Sequence, residues 1–303
     1  MIYKNFKFSN YFRKANFLSI IFFLTSIILI IFKGLNFGID FKGGTLLEIR
    51  STDTQISSKM IRDTLSKLNL GDINVKKFGK ESDFIIKVES VDYNKQNSIE
   101  VLKKTLDESL NTEINYRRIE KVGPKVSKEL LKSGVIAISL SLFAMLFYIW
   151  IRFEWQFSLG SIVALFHDVI ITIGIFSLLS IEVNLSIVAA LLTIVGYSMN
   201  DTVVIYDRIR ENLFKYNKIS IGEISDISIN ETLSRTLITS VTTLLALFSI
   251  FFVGGEILKG FSLAMILGVI IGTYSSIFVA SPILKFFKVS YKTLEKEEEK
   301  IVP

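Results

Sequence analysis

Two carboxylates and one guanidinium sit where a chain this apolar should carry none, and their spacing suits proton transfer. The stretch Gly196–Asn212 reads GYSMNDTVVIYDRIREN. Upstream of it, Val183 to Asn200 holds no ionisable side chain except Tyr197. Asp201 then interrupts, and Thr202–Tyr206 follow before Asp207, Arg208 and Arg210. On a helix Asp201 lies about 9 Å inside the Asp207 boundary. A bilayer core of about 30 Å takes about 20 helical residues, so Asp201 falls within the membrane. An ionised carboxylate there costs at least about 2.5–3.5 kcal/mol and calls for a partner or a job. Arg235 begins the fifth apolar run, just past Glu231, at a similar depth from the same side. A carboxylate and a guanidinium at matching depth are plausible partners, because pairing lowers the cost of each.

Asp168, beside the single histidine His167, breaks the third apolar run near its middle, with Thr172 one turn further along. Tyr197 and Ser198 lie behind Asp201 on its own face, Asn200 directly precedes it, and Thr239 and Thr242 lie ahead of Arg235. A carboxylate, a cation and hydroxyls facing one another make a polar seam that passes a proton by way of waters. Each residue also has a plainer reading. Asp201 and Asp168 fit interhelical hydrogen bonding, Arg235 fits a snorkelling anchor, and His167 fits packing.

The elements that must position these groups are membrane helices. Half of the 303 residues are apolar, and the mean hydropathy is +0.47, so the chain is a polytopic α-helical membrane protein. Six apolar runs are expected to span: Ala15–Phe32, Ser133–Ile151, Phe157–Ile181, Val183–Tyr206, Thr236–Gly255 and Phe261–Leu284. Residues 1–14 carry Lys4, Lys7, Arg13 and Lys14, and no small-x-small site follows the first run before Asn36, so an uncleaved helix is expected rather than a signal peptide. Basic residues 208, 210, 215, 218, 285, 288 and 292 flank one side, whereas the short loops of the other hold only Lys259. The positive-inside rule therefore puts both termini in the cytoplasm, with a charged, solvated tail over 285–303. The net charge of +6 follows from the same topology and needs no nucleic acid. The Asp207–Glu231 loop is long enough for an interfacial helix.

Residues 33–132 form a hydrophilic block of domain size outside the membrane. Thr45–Arg50 reads as a strand. Thr54 or Ser57 can cap a helix with the stripe Ile61, Leu65 and Leu68, stopped by Gly71. Asn74–Phe78 and Asp83–Val88 flank a turn, Ile99, Leu102, Leu106 and Leu110 mark a second helix, and Ile114–Val122 a last strand. The order βαββαβ predicts a ferredoxin-like α+β domain between helices 1 and 2. Gly38, Gly43, Gly44 and Gly123, with Pro124, stand where that block joins the membrane and can serve as hinges. Gly268 and Gly272 have the GxxxG spacing of close helix packing.

Enzyme chemistry finds little footing. There is no cysteine, one histidine and no HExxH, so no metal set is expected. No serine sits in a GxSxG elbow, and no glycine-rich loop suits phosphates. Tyr206-Asp207 is half of an intramembrane aspartyl protease pattern, but its GxGD partner is absent.

Five motifs, in order, carry a resemblance over nearly the whole chain. They are Phe37-Gly-Ile-Asp40-Phe-Lys-Gly-Gly-Thr45, Val122-Gly-Pro-Lys-Val-Ser-Lys-Glu-Leu130, His167-Asp168-Val169, Gly196–Asn212, and Asn230-Glu231-Thr232 leading into Ser234-Arg235-Thr236. In these the chain resembles the SecD/SecF family of bacterial protein-export membrane subunits, related to the RND (resistance-nodulation-division) transporters. Ser127 stands where many relatives have glycine. The resemblance implies a six-helix RND-like half in the bacterial inner membrane, with the extra domain in the periplasm. It implies a complex with SecD, association with the SecYEG channel and YajC, and action on unfolded preprotein late in its passage. The proton motive force, not a cofactor, would supply the energy. The residues matching the family's proton pathway are Asp201 and Arg235, and a further aspartate comes from SecD. Two other readings stay open: one half of a proton-coupled small-molecule antiporter, and a structural assembly factor of the translocation channel.

Overall fold

The computed structural model describes residues 6–53, 55–68, 71–79, 81–89, 98–216 and 218–294. Thr54 and the tail from 295 onward, with most of the charged run KTLEKEEEK, lie outside them, as do residues 1–5 with Lys4. The chain divides into two compact units: residues 36–136 with 182–185, and residues 1–35, 137–181 and 186–303.

After a short turn at Phe8–Asn10, helix α1 spans Phe12–Phe32. Strand β1 (Asn36–Phe37) and the one-turn helix α2 (Ile39–Lys42) lead into the α+β unit. There follow β2 (Gly44–Ser51), α3 (Ser58–Ser66), β3 (Ile73–Lys77), β4 (Asp83–Val88), α4 (Ser98–Leu110) and β5 (Ile114–Val122). The sheet order is β3-β4-β2-β5, antiparallel throughout. That is the ferredoxin-like topology, in which the first and third strands lie at the centre. Ser57 caps α3, its hydroxyl accepting from the Met60 amide at 3.2 Å, which satisfies one of the orphan donors of the first turn. Ile61 and Leu65 from α3 and Leu102 and Leu106 from α4 close over Leu47, Ile49, Phe84 and Ile86 in one buried cluster. Each such side chain contributes about 1.5–3 kcal/mol. Arg50 clasps Asp83 with both arms of its guanidinium, at 2.5 and 2.7 Å, tying β2 to β4.

Among the described residues, six helices are long and apolar enough to cross a membrane: α1, α5 (Pro124–Arg152), α6 (Trp155–Leu179), α7 (Leu185–Lys215), α8 (Ile221–Val253) and the span Ile257–Phe286. The last comprises α9 (Glu256–Ser275), a π-helical turn Ser276–Ala280, and α10 (Ser281–Phe286). Pro282 supplies no backbone N–H, which favours the looser turn before it. A two-residue strand β6 (Glu182–Val183) precedes α7. The α6, α7 and α9–α10 helices are mostly buried, whereas α1, α5 and α8 bury 11–17% of their spanning residues. The chain is thus a multi-pass membrane protein with three central and three peripheral helices.

Two expectations are corrected. Hydropathy starts the second span at Ser133, yet α5 begins at Pro124, its charged first turns being good helix formers that a hydropathy window rejects. Among the described residues no separate interfacial helix fills the Asp207–Glu231 region. Both flanking helices extend into it, and α8 is opened by a capping box between Ser220 and Glu223. Arg235 therefore lies about 21 Å along α8 rather than at a helix start.

Candidate functional site

Asp168 is the most enclosed carboxylate in the helical unit, with none of its surface exposed. Its Oδ2 accepts from Ser198 Oγ of α7 at 2.5 Å and from Ser275 Oγ of α9 at 2.8 Å, and its Oδ1 lies 2.9 Å from His167 Nδ1. Thr172 donates back to the Asp168 carbonyl at 2.7 Å. One carboxylate thereby fastens three central helices, the arrangement that makes a buried charge or buried acid tolerable. His167 is buried too, its ring stacked near Tyr274, and its Nε2 has no partner among the described residues.

Asp201, one turn beyond Ser198, is 2% exposed. Among the described residues its one hydrogen bond is a long one, from Thr273 Oγ1 of α9 at 3.4 Å, a distance at which a hydrogen bond is weak. Thr273 also shares a hydroxyl contact with Ser240 of α8 at 2.8 Å. Beside it, Thr202 meets Ser276 at 2.9 Å, and the fully buried Tyr206 donates to the Ala280 carbonyl of the π turn at 2.9 Å. Close approach of α7 and α9 makes these contacts possible. A Cβ on Gly268 would overlap Ile194, and one on Gly272 would stand 2.9 Å from Ser198 Cβ. The GxxxG spacing therefore marks packing of α9 on α7.

The expected contact between Asp201 and Arg235 is not made within this chain. No ion pair joins them among the described residues; Arg235 is exposed on α8 and acts on Asp201 only through its charge at longer range. Hydropathy sets depth but not the rotation of a helix about its own axis, and α8 turns Thr236 and Ser240 inward instead. Tyr197 reaches Thr243 of α8 at 3.4 Å, Thr239 bonds only to its own helix, and Asn200 is exposed. The hydroxyls Thr273, Ser275 and Ser276 were not singled out from the sequence. Their signal was legible as four consecutive hydroxyl residues, Thr273–Ser276, inside an apolar run.

In the other unit, Gly43 and Gly44 take φ of 83° and 128°, conformations that favour glycine. A Cβ at Gly44 would meet the Val88 carbonyl at 2.6 Å. Gly123 separates β5 from α5, and Pro124 is the first residue of that helix.

The family model for the C-terminal part of the protein export membrane proteins SecD/SecF matches residues 101–290, and the model of the SecD/SecF GG motif matches residues 28–55. The chain belongs to the SecD/SecF family. It is 46% identical over 284 residues to the protein translocase subunit SecF of Rickettsia bellii, covering 93% of each chain. It is 45% identical over 296 residues to that of Rickettsia rickettsii, covering 96% of each. Among solved structures, SecDF of Thermus thermophilus, described as a translocon-associated membrane protein, superposes with a TM-score of 0.84 at 34% identity over 93% of this chain. SecDF in its super-membrane-facing form gives a TM-score of 0.69 over 97%. This chain spans 38% of the first of those structures and 40% of the second. The polar layer around Asp168 and Asp201 falls within the matched SecD/SecF region, and the Gly43-Gly44 turn within the GG motif.

Proposed function

We propose that this chain is a SecF-type subunit of the bacterial Sec translocase, a transport component and not an enzyme. With a SecD-type partner it uses the proton motive force to drive late translocation and release of unfolded preprotein across the inner membrane. The SecYEG channel and YajC would be its further associates. Both termini would lie in the cytoplasm and the α+β unit in the periplasm.

One observation carries the reading. Asp201 is buried in a membrane helix with one weak hydrogen bond among the described residues, while Arg235, exposed on α8, reaches it only through its charge and forms no ion pair with it. Such a relay is incomplete in one chain and would be completed by a carboxylate on a partner helix laid against α8. Protonating Asp201, or a partner carboxylate sharing Arg235, removes a charge from the seam and changes which packing of α7, α8 and α9 is favoured. One proton crossing supplies about 2.3 kcal/mol per 100 mV, enough to bias two states a few kcal/mol apart.

The test is export of a secreted reporter into inverted inner-membrane vesicles carrying the chain with its SecD-type partner. Asp201→Asn should reduce export to the level seen with the gradient collapsed, and leave insertion and copurification of the partner unchanged. Normal export by that variant would refute the relay and favour a scaffolding role.

A further inference from the structure

The glycine motif after α1 does more than turn the chain. Strand β1 pairs in parallel with β6, Asn36 opposite Glu182 and Phe37 opposite Val183, and the Gly38 amide donates to the Val183 carbonyl at 2.9 Å. Asp40 Oδ2 then accepts from the Leu185 amide at 2.9 Å. Leu185 is the first residue of α7, so a carboxylate 145 residues away in sequence serves as its cap, with the sign the helix dipole prefers. Glu182 in turn forms an ion pair with Lys87 of β4. The Glu182 carboxylate occupies the space a side chain at Gly38 would need, a Cβ there lying 2.5 Å from Oε1. Lys42 reaches Glu89, just past β4, at 3.4 Å, and at Gly44 the Val88 carbonyl occupies the space a side chain would need. The sheet thus grips the 36–44 turn, and that turn grips the start of α7. From Leu185 the helix runs unbroken past Asp201, about 24 Å along its axis.

We infer that Asp40, Glu182 and Lys87 are positioning residues that tie the sheet β3-β4-β2-β5 to the first turn of α7, so that movement of the α+β unit and a change at Asp201 are transmitted along one helix. This rests on the role of Asp201 proposed above.

The experiment combines hydrogen exchange of the purified complex with reporter export. Lys87→Glu and Glu182→Lys should each speed amide exchange across 36–44 and 182–185 about fivefold or more and reduce export. The double charge swap should restore both readouts. Asp40→Ala should speed exchange of the Leu185 amide by a similar factor, which corresponds to about 1 kcal/mol, while Asp40→Asn, still able to cap, retains most protection. A swap no better than either single variant overturns the inference. So does faster exchange with export unchanged, which would make these contacts mere local fastening. Asp201→Asn tests the proton role separately, through export alone. Normal export by that variant would fell the proton reading, and the coupling with it, while the exchange data report separately on whether the clamp itself exists.

Discussion

Removing the Asp168 carboxylate tests the buried layer most directly. In Asp168→Ala the Ser198 hydroxyl loses its acceptor, and His167 Nδ1 loses its partner, in a site with no exposed surface at residue 168. Ser275 loses less, since its hydroxyl also bonds the Gly272 carbonyl at 3.1 Å. Leaving a buried polar group unsatisfied costs about 1–3 kcal/mol. Two such groups amount to about 2–6 kcal/mol, offset in part because a costly buried carboxyl is gone. At about 2–4 °C per kcal/mol for a protein of this size class, the melting temperature in detergent should fall by several degrees, and by no more than about 24 °C. Asp168→Ala/Ser198→Ala, which removes donor and acceptor together, should recover about a third to a half of that loss, because matched deletion spares the desolvation penalty. Thermal unfolding followed by intrinsic fluorescence reads both. An Asp168→Ala protein as stable as the parent, or a double variant worse than the sum of the singles, would refute the view that this carboxylate fastens α6, α7 and α9.

Other expectations follow from packing and charge. Gly268→Ala drives a methyl into Ile194 and should cost about 1–3 kcal/mol, whereas Gly196→Ala, with nothing within 4 Å of its Cβ, should be neutral or stabilising by about 0.5–1 kcal/mol; the same melting assay compares them, and equal effects would be wrong. Burial and the charge of Lys76 push the Lys87 ammonium down to about 8, against the pull of Asp40. Competitive acetylation of the intact chain should therefore find Lys87 gaining reactivity as pH climbs through about 8. Reactivity that appears only above pH 10 would contradict the burial of Lys87.

The α+β unit was readable nearly residue by residue. Alternating apolar positions, the Ser57 cap and the stripe Ile61–Leu65 are local signals, and each demands one element type regardless of what lies across from it. The six spans were equally legible, since twenty apolar residues leave few other fates. The helix starts of α5 and α8 were not, because charged helical turns look like loops to a hydropathy window. Arg235 shows the deeper limit. Its depth could be counted along the chain, but whether it faced Asp201 depended on how α8 is rotated. That rotation carries Thr236 and Ser240 inward, with Ser240 meeting Thr273 of α9.

Asp40 and the serines of α9 belong to the same class. A carboxylate after α1 and a hydroxyl in an apolar helix are individually ambiguous. They acquire a role only when folding brings Leu185 to the first and Asp168 to the second. Sequence alone determined which segments cross the membrane, which fold into the sheet, and which side chains are too costly to bury without cause. Which of those side chains meet was decided by tertiary structure, because hydrophobic burial is proportional to area and blind to direction, while hydrogen bonds and ion pairs form only at short range and fixed angles.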